Sequence, residues 1–220
     1  MKKIHVLTAG FGLTLAMAAA GCGMKNTETP ANTETETEIV LPAETESAAA
    51  QNGSGEGAEG FTVVYSEKEK NQELEKLVAE EYMIPEEELE ETRYYYNYVD
   101  FNGDGKDEIF ALLVGSYTSG SGGSSAVIVE DNGGELTILQ DFTLINPPVY
   151  VSDTTTEGRK NLIVPSPEGS GYVKLTWKEG AYTTVNDGEE IADLSGETGV
   201  QIISDDLAAD LDSGDYMTLK

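Results

Sequence analysis

From Arg93 onward, glycines, asparagines, serines and prolines cut the chain into short runs of β-branched and aromatic residues, and this punctuation constrains the fold more than any other feature. Interruptions so frequent leave room for strands and not for long helices. Strands are expected near 93–99, 108–115, 126–130, 135–140, 143–151, 161–165, 171–177 and 181–185. Asn132-Gly133 is a favoured pair for a two-residue hairpin, since both residues tolerate positive φ, and Lys178-Glu179-Gly180 marks a looser turn. Tyr94, Tyr96 and Tyr98 alternate onto one face, as do Val173, Leu175 and Trp177, and both stripes read as packing surfaces.

The segment before Arg93 has a different period. Ser66 with Glu69 has the form of a capping box, and Leu74, Leu77, Val78 and Tyr82 recur at helical spacing on one face. Pro85 followed by Glu86, Glu87 and Glu88 suits a second short helix, with acids at the positive end of its dipole. The expected fold class is therefore α+β but mainly β. N-terminal helices precede an antiparallel sheet, sandwich or barrel of about eight strands, in one globular domain over residues 61–220.

The first residues carry an export signal. Lys2 and Lys3 precede an apolar stretch from Ile4 to Ala20 that ends in Ala18, Ala19, Ala20 and Gly21, the plan of a secretory signal peptide over 1–21. Spanning a bilayer takes about 20 mostly apolar residues, and this run is shorter and broken by His5, Gly10 and Gly12. The sole cysteine, Cys22, follows at once; a lone Cys in an exported chain has no internal disulfide partner. Ala19-Ala20-Gly21-Cys22 resembles a lipobox, with Ala19 where Leu is commonest. That resemblance implies cleavage before Cys22, acyl chains on that cysteine, and a lipid anchor at the outer face of a bacterial membrane; with Ala19 in that place, cleavage after Ala20 by the ordinary signal peptidase is the alternative. Residues 22–60 then read as an acidic tether, because Thr, Glu, Ala, Gly, Ser and Pro bury too little apolar surface to offset ordering entropy.

Charge and missing residues exclude several function classes. Of 13 basic residues, Lys2 and Lys3 leave with the signal peptide, so 11 face 41 acidic ones. Nucleic acid and bare anionic membrane are poor partners for such a chain; cations and basic proteins suit it. His5 is the only histidine and it too is lost, so Ser-His-Asp and Cys-His catalysis and His-containing zinc sites fall away. Carboxylate-pair glycan hydrolysis stays formally open, since only geometry distinguishes a catalytic pair. Asp205, Asp206, Asp210, Asp212 and Asp215, with Leu207 and Leu211, read as an amphipathic helix or acidic tail.

One motif stands above this background: Asp100-Phe101-Asn102-Gly103-Asp104-Gly105-Lys106-Asp107-Glu108. Oxygen-bearing side chains at Asp100, Asn102, Asp104 and Glu108, a backbone carbonyl at Lys106 and a glycine at Gly105 for the sharp turn are how a loop presents hard oxygens to Ca²⁺. Asp107 points away in this scheme. The twelfth position is Ala111, where a helix-flanked EF-hand places a bidentate Glu, and Ile109 to Val114 reads as a buried strand. The nonapeptide with its trailing strand resembles the Ca²⁺ loops of FG-GAP or VCBS-type propeller blades and of dockerin-like modules; it occurs here once. From Asp100 to about Val185 the chain is similar to small uncharacterised exported bacterial proteins that follow such a loop with a Gly-Ser-Gly-Gly turn, here Gly120-Ser121-Gly122-Gly123. Many of those carry Cys on either side of the turn, where this chain has Ser119 and Ser124.

The expected function is a cell-surface lipoprotein with a Ca²⁺-stabilised, non-catalytic domain that binds a protein or glycan partner. An alternative is an inhibitor of a cationic hydrolase such as lysozyme. The Ser-Gly elements Ser119-Gly120-Ser121 and Ser170-Gly171-Tyr172 resemble those that small acidic inhibitors use.

Overall fold

The computed structural model describes residues 57–220. The expectations on the signal peptide, on Cys22 and on the tether as far as residue 56 lie outside the described residues.

The described chain runs through β1 (Phe61–Val63), α1 (Gln72–Glu81), a 3-10 turn (Glu86–Glu88), β2 (Arg93–Val99), β3 (Glu108–Val114), β4 (Ser119–Gly120) and β5 (Gly123–Asp131). It continues through β6 (Leu136–Ile145), β7 (Val149–Thr156), β8 (Arg159–Pro165), β9 (Tyr172–Leu175), β10 (Trp177–Lys178) and β11 (Ala181–Tyr182). The last elements are β12 (Glu189–Ile191), β13 (Gly199–Ile202), α2 (Leu207–Ser213) and β14 (Met217–Thr218). The fold is mainly β, as the turn punctuation implies.

Two sheets pack face to face. One has the order β1-β13-β7-β8-β9-β12; the other runs β14-β2-β3-β5, with β6 and the short β4 both pairing with β5. Alternation along each strand divides the side chains between layers. Tyr95, Phe110, Leu112 and Ile128 of the second sheet meet Val149, Val151, Leu162 and Leu175 of the first in the central core. The opposite face of the second sheet is not left to water, for Tyr94, Ile109, Leu113 and Val127 pack beneath Leu74 and Val78 of α1. A strand covered on both sides has no polar face to alternate with, which is why β3 reads Ile-Phe-Ala-Leu-Leu without a break.

Asn97 shows how the inner face tolerates a polar residue. It is 1% exposed, its Nδ2 donates to the Tyr65 carbonyl at 2.8 Å, and its Oδ1 accepts the Ile203 amide at 3.0 Å. One amide thus satisfies two loop groups that enter the core from opposite ends of the chain.

Several local expectations are corrected. Ser66 does not cap a helix: its amide and hydroxyl both donate to Asp205 Oδ2, at 2.9 and 2.6 Å, and α1 starts later with Asn71 Oδ1 accepting the Leu74 amide at 3.0 Å. A buried carboxylate 139 residues away outbids the local cap. Among the described residues one α-helix, α1, lies between β1 and β2, because the Pro85 segment forms a single 3-10 turn with Pro85 extended before it. Among the described residues the mainly β fold holds fourteen strands, since short edge pieces such as β1, β12 and β14, which carry too little pattern to be read, add to the eight expected. The strand expected at 143–151 is two: β6 runs through to Ile145, Pro147 and Pro148 interrupt, and β7 begins at Val149.

The two hairpin turns exchange character. Asp131 pairs with Leu136, so Asn132-Gly133-Gly134-Glu135 is a four-residue connection in which Asp131 Oδ1 accepts the Gly134 amide at 2.6 Å. Lys178 pairs with Ala181, so Glu179-Gly180 is the tight two-residue turn, with φ of 54° and 88°.

Candidate functional site

The loop that carries the alternating oxygens joins β2 to β3, the two strands that pair in register from Arg93 opposite Val114 to Val99 opposite Glu108. Its geometry follows from the sequence alternation. Phe101 turns inward and is fully buried in the core between the sheets, whereas Asp104, Lys106 and Asp107 face solvent. The Phe101 amide donates to Glu108 Oε2 at 2.8 Å, and its carbonyl accepts the Lys160 amide at 2.8 Å. The second residue of the loop therefore pins it to the sandwich.

The exposed oxygens fold the loop on itself. Asp100 accepts the amides of Gly103 through Oδ1 at 2.6 Å and of Gly105 through Oδ2 at 2.9 Å. Asn102 Oδ1 accepts the Asp104 amide and Asp104 Oδ1 the Lys106 amide, each at 2.8 Å. Gly103 and Gly105 have φ of 75° and 84°, and a Cβ on either would meet nothing within 4 Å, so conformation and not space demands glycine there. Slight burial raises the Asp100 pKa, but its bonds from the Gly105, Gly103 and Asp104 amides outweigh that and hold the carboxyl below its ordinary range.

Glu108 belongs to the buried side of the loop. Its Oε1 accepts Asn102 Nδ2 at 2.7 Å and lies 3.4 Å from Arg159 Nη1. Arg159 also donates to Glu130 Oε1 at 2.8 Å through Nη2, and its guanidinium stacks over the Trp177 ring at 4.5 Å. Burial raises the Glu108 pKa above the ordinary value, with the Phe101 amide and the Arg159 charge opposing it.

Of the five residues expected as ligands, the structure brings Asp100, Asn102, Asp104 and Lys106 together on the outer turn and sets Glu108 on its inner flank. Asn102 Nδ2 stands between the two carboxylates, 3.3 Å from Asp104 Oδ2 and 2.7 Å from Glu108 Oε1. Among the described residues no three His, Cys, Asp or Glu side chains group as a metal cluster. The donor set of the outer turn is hard oxygen and mixed, two carboxylates, an amide oxygen and the Lys106 carbonyl, which suits Ca²⁺ with water completing the shell. Glu108 as a further donor shares its carboxylate with Arg159.

Arg159 and Glu130 join the site unannounced by the sequence, and Trp177, expected as packing, carries the Arg159 guanidinium. No local signal marks them, because Arg159 lies 51 residues from Glu108. Two acids of the C-terminal cluster have structural partners: Asp205 holds Ser66, and Asp206 caps α2 by accepting the Ala208 and Ala209 amides at 3.2 and 3.0 Å. Ser119 and Gly120 form β4 at the margin of one sheet, while Tyr172 lies in β9 of the other with its ring edge-on to Tyr150, 5.7 Å away. The two Ser-Gly elements therefore belong to different sheets. Comparison with protein-family models, with curated proteins and with solved structures returned no match.

Proposed function

We propose that this chain is an exported lipoprotein, anchored through acylated Cys22, whose described domain is a Ca²⁺-stabilised, non-catalytic binding module for a protein or glycan. The observation that carries the reading is the outer turn of the β2–β3 loop. Asp100, Asn102 and Asp104 alternate there around two left-handed glycines, on a turn fastened to the core by Phe101. Crowded carboxylates repel one another, and a divalent cation relieves that while drawing β2 and β3 together.

The non-catalytic part of the reading is supported by what the buried and half-buried carboxylates do. Glu75 accepts the Tyr94 hydroxyl at 2.6 Å, and Glu108 is held by Phe101, Asn102 and Arg159. Glu197 accepts the Ser152 hydroxyl at 2.6 Å and pairs with Lys174. Each bonds to its own scaffold.

Calorimetric melting of the domain with excess Ca²⁺ and with EDTA tests the metal. A ligand binding the native state alone adds RT ln(1 + [L]/Kd), so millimolar Ca²⁺ at a Kd on the order of 10⁻⁴ M stabilises by ~1.4 kcal/mol. For a domain of this size that is a rise of roughly 3–6 °C. Asp104→Ala is expected to abolish the rise and Lys106→Ala to keep it, since Lys106 offers only its carbonyl. Equal melting temperatures in Ca²⁺ and EDTA remove the metal from the account. For the anchor, Cys22→Ser is expected to release the chain from membranes or leave it uncut, and a mature N-terminus without acyl mass would exclude the lipid.

A further inference from the structure

A groove of about 610 Å³ opens between α1 and the segment that follows it. Gln72, Glu75, Lys76, Ala79 and Glu80 recur at three- and four-residue spacing, so one face of the helix forms its wall. Ile84, Leu89 and Leu219 supply an apolar floor. Met83 stands 81% exposed on a left-handed backbone with φ of 49°, a long flexible apolar side chain held out at the rim. Methionines so placed mould themselves to apolar partners of varied shape.

Charge tells what such a groove takes. Seven of the twelve residues from Glu80 to Glu91 are glutamates. The cations paired with them are Lys76, 3.9 Å from Glu80, and Lys220, 3.9 and 3.5 Å from Glu86 and Glu90. Glu75 adds a carboxylate beside the floor that is only 8% exposed. Its Oε1 accepts the Tyr94 hydroxyl and lies 4.0 Å from Lys70, while Oε2 accepts no hydrogen bond from the described residues. A fixed carboxylate beside apolar side chains, within an acidic rim, complements a partner that alternates apolar and basic residues.

We infer that this groove docks a cationic amphipathic peptide segment of a partner protein, with apolar side chains against Met83, Ile84, Leu89 and Leu219 and a Lys or Arg on Glu75. The inference rests on the reading of the domain as a binding module and narrows its partner class. The mode is helix-in-groove recognition, in which anchors at helical spacing enter an apolar trough while rim charges steer approach.

The test measures fluorescence anisotropy of labelled Lys/Leu peptides of about 14 residues with the mature chain. Three peptides are compared: one with the leucines at helical period, one of the same composition in scrambled order, and a Glu/Leu counterpart of the first. The amphipathic basic peptide is expected to bind at least about tenfold more tightly than the scrambled one, and the acidic one not at all. Met83→Lys and Glu80→Lys alter exposed positions and are each expected to weaken binding about fivefold or more with the circular dichroism unchanged. Glu190→Lys, on the β12 edge of the other sheet, is expected to leave it intact. Equal binding of the ordered and scrambled peptides reduces the effect to general charge and overturns the inference, as does indifference to both groove variants. Self-association in sedimentation that Met83→Lys abolishes assigns the groove to a second copy and overturns it too. A Ca²⁺-dependent melting rise alongside a failed peptide titration would leave the module reading in place and remove this groove from it.

Discussion

Phe101→Ala is expected to destabilise the domain by about 3–5 kcal/mol, because it deletes a fully buried aromatic ring and leaves a cavity between two sheets that cannot both close over it. The ring sits with Phe110, Val99 and Leu162 in the central core, so the loss has no solvent-exposed route to relaxation. In urea unfolding it moves the midpoint down with the slope unchanged, the sign of lost stability without a changed denatured state. A second consequence is specific to the loop. Phe101 is the residue through which the Asp100–Glu108 turn is fastened to the sandwich, by its ring and by the bonds of its amide to Glu108 and of its carbonyl to the Lys160 amide. With the ring gone, the alternating oxygens keep their sequence but lose part of their fixed frame, and the melting rise proposed for Ca²⁺ is expected to shrink. Phe101→Leu, which keeps most of the buried volume, is expected to cost less and to retain most of the rise. A Phe101→Ala variant within about 1 kcal/mol of wild type would show that the loop is not anchored through this side chain.

The second large effect is a cooperative alkaline unfolding. Burial pushes the hydroxyls of Tyr95 and Tyr150 up to about 12 from an ordinary 10. Burial also raises Tyr94, Tyr96 and Tyr182. A phenol whose pKa is raised by folding adds stability that is fully present below its unfolded pKa of 10 and is lost as pH climbs through its folded pKa. Two units correspond to ~2.7 kcal/mol per residue, so Tyr95 and Tyr150 together remove on the order of 5 kcal/mol between pH 10 and 12, a sum comparable with the whole stability of an ordinary domain. Absorbance at about 295 nm, which reports tyrosinate, is expected to rise for these residues in one step with the loss of circular dichroism. Independent titration of all eleven tyrosines with native circular dichroism retained past pH 12 would contradict the burial argument. The same stripe explains why Tyr94 and Tyr96 are packing residues: they stack 6.0 Å apart beneath α1, and Tyr96 donates its hydroxyl to the Glu69 carbonyl at 2.9 Å.

What was legible in the sequence is what depends on neighbours along the chain. The strands around Tyr94–Tyr98 and Ile109–Val114 follow from side-chain alternation and from an unbroken apolar run. The sharp turn at Gly105, with φ of 84°, follows from the glycine of the Asp100–Glu108 motif. What only the tertiary structure decided depends on groups far apart in sequence. Ser66 leaves the helix start for Asp205, Glu108 meets Arg159 across the sandwich, and β1 joins β13 as a parallel pair with Phe61 opposite Gly199. The same holds for the groove, whose floor joins Ile84 and Leu89 to Leu219 near the C-terminus. Local pattern sets backbone preference and which face of a strand is apolar. Which strand lies opposite that face, and which buried charge finds which partner, is chosen by packing and desolvation over the whole domain, where a pairing across more than a hundred residues leaves no periodic trace in the chain.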